Sequence, residues 1–379
     1  MSCAGRALVL TALAAVGAPP GFCAEAKDEP NYCCLSVQGS SLSATAVAEL
    51  EKTVAADPKD LAGRILLTGY YSSQLSRPDE ETLDSILQGE KPSGKSSTRD
   101  RLREHMLWII RHQPGSEAAA YLPSTLADQE PALYEACKAE WLKQTKRRPK
   151  EAAVFAHAAK FVKYSDNDSG LAIQLMGTAR RLEPACAAWA VQLADIYELQ
   201  MRCLPRGSAT RMEMSGHCQE ELSAALAADP DGESRFHTLP DAAGAALEAG
   251  HPATASAYAC EALAMTGKMK DNWYLPIALH KAWTVLGGVA LAAGRTEEAK
   301  TCLLASGRIT HNDQSSWFGP NLALASDLSL RGERKAVVRF LDLCMKWDSN
   351  NVETGQLKDH RALLNGDRAP DFGLCLSYY

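Results

Sequence analysis

The chain lacks the short signatures of the commonest hydrolytic chemistries. Nowhere in its 379 residues is there a Gly-x-Ser-x-Gly, a His-Glu-x-x-His or a Ser-x-x-Lys, so no ready-made nucleophile or zinc site is visible. An excess of positive charge is also missing. Forty Lys and Arg face 46 Asp and Glu, a formal net charge of −6, so nucleic acid is not expected as a partner. The one basic cluster, Lys143 to Lys150 (KQTKRRPK), holds no aromatic residue and reads as a solvated loop. Strand patterning is missing too. Short runs such as Val289 to Ala292 show no period-two alternation, which leaves an all-α chain. Past the leader, no stretch of about 18 uncharged apolar residues offers a transmembrane anchor.

The leader has its own pattern. A lone Arg6, the apolar stretch Ala7 to Ala18 and the small residues of Ala24-Glu25-Ala26 predict a bacterial-type export signal cleaved near Ala26, and a periplasmic or secreted product. A lipoprotein reading centred on Cys23 is disfavoured by Phe22, a bulky ring where a small residue belongs. The remaining 353 residues suffice for one elongated repeat domain or two compact ones.

Residues 280–313 carry the fold. Trp283, Leu286, Gly287, Ala290, Gly294, Ala299 and Leu303 fall where a 34-residue tetratricopeptide unit places its small and large seam residues. Gly287, Ala290 and Ala299 let two antiparallel helices approach, while Trp283, Leu286 and Leu303 fill the space between them. Anchoring on Gly250 aligns Leu239, Ala242, Ala243, Ala246, Ala255, Ala259 and Ala262 over 236–269. Anchoring on Gly332 aligns Leu324, Ala325, Leu328, Val337 and Leu341 over 318–351. Upstream, Ala172, Met176, Ala179 and Pro184 close one unit, and Ala190, Leu193, Ala194 and Tyr197 open another. In the N-terminal third, Ala44 to Ala56 and Leu61 to Gln74 predict a helix pair, and Arg99 to His112 an amphipathic helix.

The expected organisation is therefore a signal peptide over 1–26, a helical segment over 27–98 ending in a flexible Gly/Ser/Lys loop, and helical repeats over 99–235 with an inserted loop at 201–218. Tetratricopeptide-like repeats follow over 236–351, with a C-terminal tail over 352–379. The fold predicted is an α-α superhelix, a solenoid of antiparallel helix pairs.

Ten cysteines remain after processing, an even number that makes disulfides plausible in an exported chain. Cys260, Cys302 and Cys344 recur every 42 residues on second helices and are expected to pack in the seam. Cys203 and Cys218 bracket a polar stretch with Pro205, Gly207, Ser208 and Gly216, expected as a loop closed by a bridge. Cys33 and Cys34 are adjacent, with pairing to distant thiols or to each other left open.

Two motifs tempt a chemical reading. Gly89-Glu90-Lys91-Pro92-Ser93-Gly94-Lys95-Ser96 has phosphate-loop spacing, with Lys95 and Ser96 in the phosphate and magnesium positions, but no buried strand precedes it. The 201–218 stretch gathers Met201, Cys203, Met212, Met214, His217 and Cys218, soft ligands that suit Cu(I). Its competing reading is a disulfide with methionines filling gaps. Of the nine histidines, His105, His157 and His280 sit on predicted helices beside apolar neighbours and read as hydrogen-bonded structural residues.

The run Ala282 to Ser306, then Phe318-Gly319-Pro320-Asn321, Leu324-Ala325, Leu328 and Gly332-Glu333, resembles a group of uncharacterised bacterial tetratricopeptide-repeat proteins. The closing Gly366, Pro370-Asp371-Phe372-Gly373 and Tyr378 or Tyr379 is similar to the end of that group. The resemblance implies the helical-repeat fold and no activity. The expectation is a non-catalytic scaffold for a protein partner, with no cofactor and with Trp317 and Asn321 as partner-facing candidates. The alternatives are a soft-metal protein using the 201–218 loop and an enzyme with a site formed between repeats.

Overall fold

The computed structural model describes residues 32–76, 95–120, 130–163, 169–202, 204–229, 232–309, 320–347 and 352–366, with residues 370, 372 and 378. Among these every regular element is a helix, and the fold is the all-α superhelix expected. The chain divides at Pro184 into two compact units.

Unit 1 holds α1 (Tyr32–Gly39), α2 (Ala44–Ala56), α3 (Leu61–Ser76), α4 (Lys95–His112), the short α5 (Glu117–Ala120), α6 (Pro131–Arg147), α7 (Ala152–Val162) and α8 (Ser169–Leu182). Ser43 caps α2, its Oγ accepting the Ala46 N–H at 3.2 Å. Asp60 serves α3 in the same way, accepting from Gly63 N–H at 2.8 Å. The amphipathic stripe of α4 is fully buried, with Leu102, Met106, Ile109 and Ile110 at 0% exposure. The basic cluster begins differently from expectation: Lys143 to Arg147 form the last turn of α6. Cations suit that end of a helix dipole, and Lys143, Lys146, Arg147 and Lys150 do face solvent.

Unit 2 holds α9 (Ala187–Met201), α10 (Ala209–Ala228), α11 (Glu233–Glu248), α12 (Pro252–Met265), α13 (Leu275–Ala292), α14 (Thr296–Gly307), α15 (Ala323–Leu330), α16 (Arg334–Cys344) and α17 (Val352–Asn365). Residues 352–365, at the start of the stretch expected as a tail, are thus helical. The pairs α9/α10, α11/α12 and α13/α14 are the repeat hairpins, and α11 also packs on α13.

One turn recurs three times. Gly250, Gly294 and Gly332 have φ of 82°, 76° and 85°, the left-handed region a side chain disfavours. The next residue's N–H reaches back five positions each time: His251 to Ala246 O, Arg295 to Ala290 O and Glu333 to Leu328 O. This is the Schellman closure of a helix, and it sets the register of the second helix. Five and nine residues after each glycine the seam is filled by Ala255 and Ala259, Ala299 and Leu303, or Val337 and Leu341, all fully buried. At Gly287 a Cβ would lie 2.2 Å from Leu324 Cδ2 and 3.1 Å from Cys302 Cβ, so the glycine is what lets α13 approach its neighbours. Helix α13 is the one described helix long and apolar enough to cross a membrane by composition; it carries Lys281 and lies within the core of unit 2.

The cysteine periodicity needs correction. Cys302 and Cys344 are buried in the seam, but Cys260 is exposed. The turn glycines are spaced 44 and 38 residues apart, so a constant 42 does not follow the repeat register. Cys260 lands one residue past the seam position held by Ala259, about 100° round the helix.

Candidate functional site

The expected 201–218 loop is mostly helix. Ser208 caps α10 by accepting the Arg211 N–H at 3.3 Å, and helix continues through Cys218, leaving only residues 202–208 as a connection. Arg211 explains the connection's course. Its side chain is 2% exposed and donates to the carbonyls of Met201 and Leu204, pinning both ends of the turn. The soft-ligand set does not converge: Met201 and Cys218 are in the core, while Met212 is 48% exposed and His217 pairs outside with Glu220 at 3.5 Å. Cys203 lies outside the described residues, and the Cys218 thiol faces the Ala194 carbonyl at 3.6 Å.

The three histidines are buried as expected of structural residues. His280 Nδ1 lies 3.2 Å from Ser306 O, and its Nε2 accepts the Asn321 N–H at 2.8 Å. His105 sits between Arg64 and Glu51, each 3.2 Å away, and His157 lies 3.0 Å from Pro114 O. Asn321 is therefore held at the start of α15, where its Oδ1 also accepts the Ala323 N–H at 2.9 Å. Trp317 and residues 89–94 of the glycine-rich run lie outside the described residues. Lys95 and Ser96 open α4, and no strand occurs among the described residues to support a phosphate loop.

Two places in unit 2 concentrate polar chemistry. The first lies near the middle of α11 and α13, beside the C-terminal part of α9. Lys281 on α13 donates to Asp241 on α11 at 2.5 Å, and Tyr274 borders the pair. Burial opposes the Lys281 charge, yet Asp241, Tyr274 and Glu198 together hold the ammonium well above its ordinary value. Desolvation pushes the Asp241 carboxyl upward as well, against the pull of the Lys281 ammonium. Glu198 and Arg202 bring α9 into the same field, so three successive first helices contribute. Aromatic rings flank the charges: His237 meets Tyr274 edge-on at 4.8 Å and Trp273 at 6.1 Å, while Asn272 receives or donates to His237, Glu233 and Tyr274.

The second place is a cleft at the C-terminal ends of α11 and α13, beside the connection that follows α9. Arg206 forms a bidentate pair with Asp327 at 2.8 and 3.0 Å, and Arg211 forms another with Glu248 at 2.7 and 3.0 Å. Tyr378 joins the pairs. Its hydroxyl donates to Asp327 at 2.7 Å, its backbone N–H donates to Glu248 at 2.8 Å, and its ring lies 5.4 Å under the Arg206 guanidinium. A cavity of about 380 Å³ opens alongside.

Sequence reasoning named none of these charged residues. Their signal was register: Asp241 and Lys281 lie nine and thirteen residues before their turn glycines, one helical turn apart on adjacent first helices.

The site and fold thus define a helical-repeat protein with polar and aromatic surfaces built on its first helices. No family model matches the chain, and no curated protein matches it. Among solved structures it is similar to YrrB, described as a TPR protein with an unusual peptide-binding site, at 15% identity over 58% of this chain and 97% of that one, with a TM-score of 0.34. It is also similar to the human IFIT1 dimer with PPP-AAAA and with m7Gppp-AAAA, at 17% identity over 85% of this chain and 68% of that one, with TM-scores of 0.43 and 0.44. Likenesses of that size leave function to be argued from this chain's own residues.

Proposed function

We propose that this chain is an exported, non-catalytic scaffold that binds a protein partner through the inner wall of unit 2. One observation carries the reading: Glu198, Asp241 and Lys281, from three consecutive first helices, converge beside Trp273 and Tyr274. Interfaces draw much of their affinity from tryptophan and tyrosine, and paired charges beside them select partners by complementarity. The ionisable groups there engage one another, an arrangement suited to recognition. Asn321, whose N–H is held by His280, is assigned to the rim.

The test is crosslinked affinity capture of the full chain from its native envelope fraction, followed by titration of the recovered partner. Lys281→Glu is expected to weaken that partner by about thirty-fold, the scale of a hot spot of about 2 kcal/mol, and Trp273→Ala by a similar amount. Equal affinity for wild type and both variants would reject this wall as the binding surface. N-terminal sequencing of the chain recovered from that fraction is expected to begin at Lys27.

A further inference from the structure

The cleft at the C-terminal ends of α11 and α13 does more than bury Tyr378. Glu248 takes a backbone N–H, a contact available to any peptide, while Asp327 takes the phenol O–H, a contact available only to tyrosine. The ring needs a gap in the wall. At Gly288 a Cβ would lie 2.6 Å from Tyr378 Cε1 and 2.8 Å from Cζ, so the missing side chain makes room for the ring. Both carboxylates are held in place beforehand by bidentate arginines from residues 206 and 211. Preorganised polar partners around an aromatic slot are what a binding subsite requires.

A second observation separates the cleft from a simple plug. A plug would fill its hole, yet about 380 Å³ stays open beside Tyr378, and pockets that take small ligands start near that size, at roughly 300 Å³. Met212 and Leu330 line it at 48% and 78% exposure, two of the four large apolar side chains most exposed among the described residues. Arg331 stands on the same rim with no ion pair among the described residues. The cavity therefore offers apolar and cationic contacts beside the Tyr378 ring.

We propose that this cleft is a receptor for an extended peptide segment bearing tyrosine, supplied by a partner protein, and that Tyr378 occupies the tyrosine subsite in cis. The partner's tyrosine replaces Tyr378 between Glu248 and Asp327, and its neighbouring residues gain the Met212, Leu330 and Arg331 surface. This goes beyond the scaffold reading and uses a separate surface, so Lys281→Glu should leave it intact.

The probe is a fluorescein-labelled Leu-Ser-Tyr-Tyr peptide, matching residues 376–379, read by anisotropy against the full chain. Tyr378→Ala is expected to bind it at least ten-fold more tightly than wild type, and adding Asp327→Asn should cancel the gain. A Leu-Ser-Phe-Phe peptide should bind at least ten-fold more weakly, because the site's acceptor is then left without its donor. If Tyr378→Ala does not fold, the native chain decides: saturating peptide should speed hydrogen exchange at the Tyr378 amide. A folded Tyr378→Ala chain that ignores the peptide overturns the proposal. So does Tyr378 amide protection in the native chain that stays unchanged at millimolar peptide.

Discussion

At the scale of single residues, glycines of one residue type do opposite work. In α3, a Cβ at Gly69 would lie 2.0 Å from the backbone oxygen of Ser36 on α1, and backbone cannot swing aside. In α10, a Cβ at Gly216 would meet nothing within 4 Å. Gly69→Ala should therefore destabilise unit 1 by at least about 1–3 kcal/mol through overpacking. Gly216→Ala should stabilise α10 by about 0.5–1 kcal/mol, since alanine suits a helix interior better. Urea denaturation followed by circular dichroism measures both; equal effects of the two substitutions would contradict the packing.

Much of this scale was legible beforehand. The seam alanines and Gly287 follow from register because a close helix pair admits only small side chains there. The charged residues of the cleft were not. Asp327 and Glu248 are ordinary helix-surface residues in sequence, and what makes them a site is Tyr378, 51 and 130 positions away.

At the scale of elements, caps decide where helices begin, and a polar stretch misleads when its cap is missed. Pro205, Gly207 and Ser208 suggested a long loop, but Ser208 is the N-cap of α10, so the polar residues after it are helix surface. Unit 1 offers an element-level test in α5. Its first residue, Glu117, lies 3.4 Å from both His157 Nε2 and Lys160 Nζ on α7, and the hydrogen bond from His157, ahead of the Lys160 charge, lowers its carboxyl to about 2. The unfolded chain takes up that proton near the ordinary 4.5, whereas the folded chain holds off until about 2. Between those values the unfolded state binds more protons, so stability is lost as pH falls through the window and is fully present above it. Glu117→Gln should flatten the fall in melting temperature between pH 4.5 and 2. Its half-exposed side chain keeps the effect modest. A slope identical to wild type would detach α5 from this pair.

At the scale of the whole molecule, the two units are built by the same local rule but differ in how contacts close. A helical-repeat array is stabilised mainly by neighbours, so its stability is close to a sum over adjacent repeats. Unit 2 departs from that rule. Arg206 meets Asp327 across 121 residues and Tyr378 meets Glu248 across 130, so the connection after α9, the helices α11 and α15, and Tyr378 are tied at one cleft. Such ties reward only the simultaneous presence of all their partners, which raises cooperativity. The expected consequence is coupling. Arg206→Met and Tyr378→Phe each break one tie to Asp327, and because both act on the same carboxylate their combined cost should differ from the sum by at least about 0.5 kcal/mol. Their urea transitions should also broaden, with a smaller slope than wild type, as repeats of unit 2 begin to unfold separately. Additive costs with an unchanged slope would mean that the cleft is local decoration on an otherwise one-dimensional array.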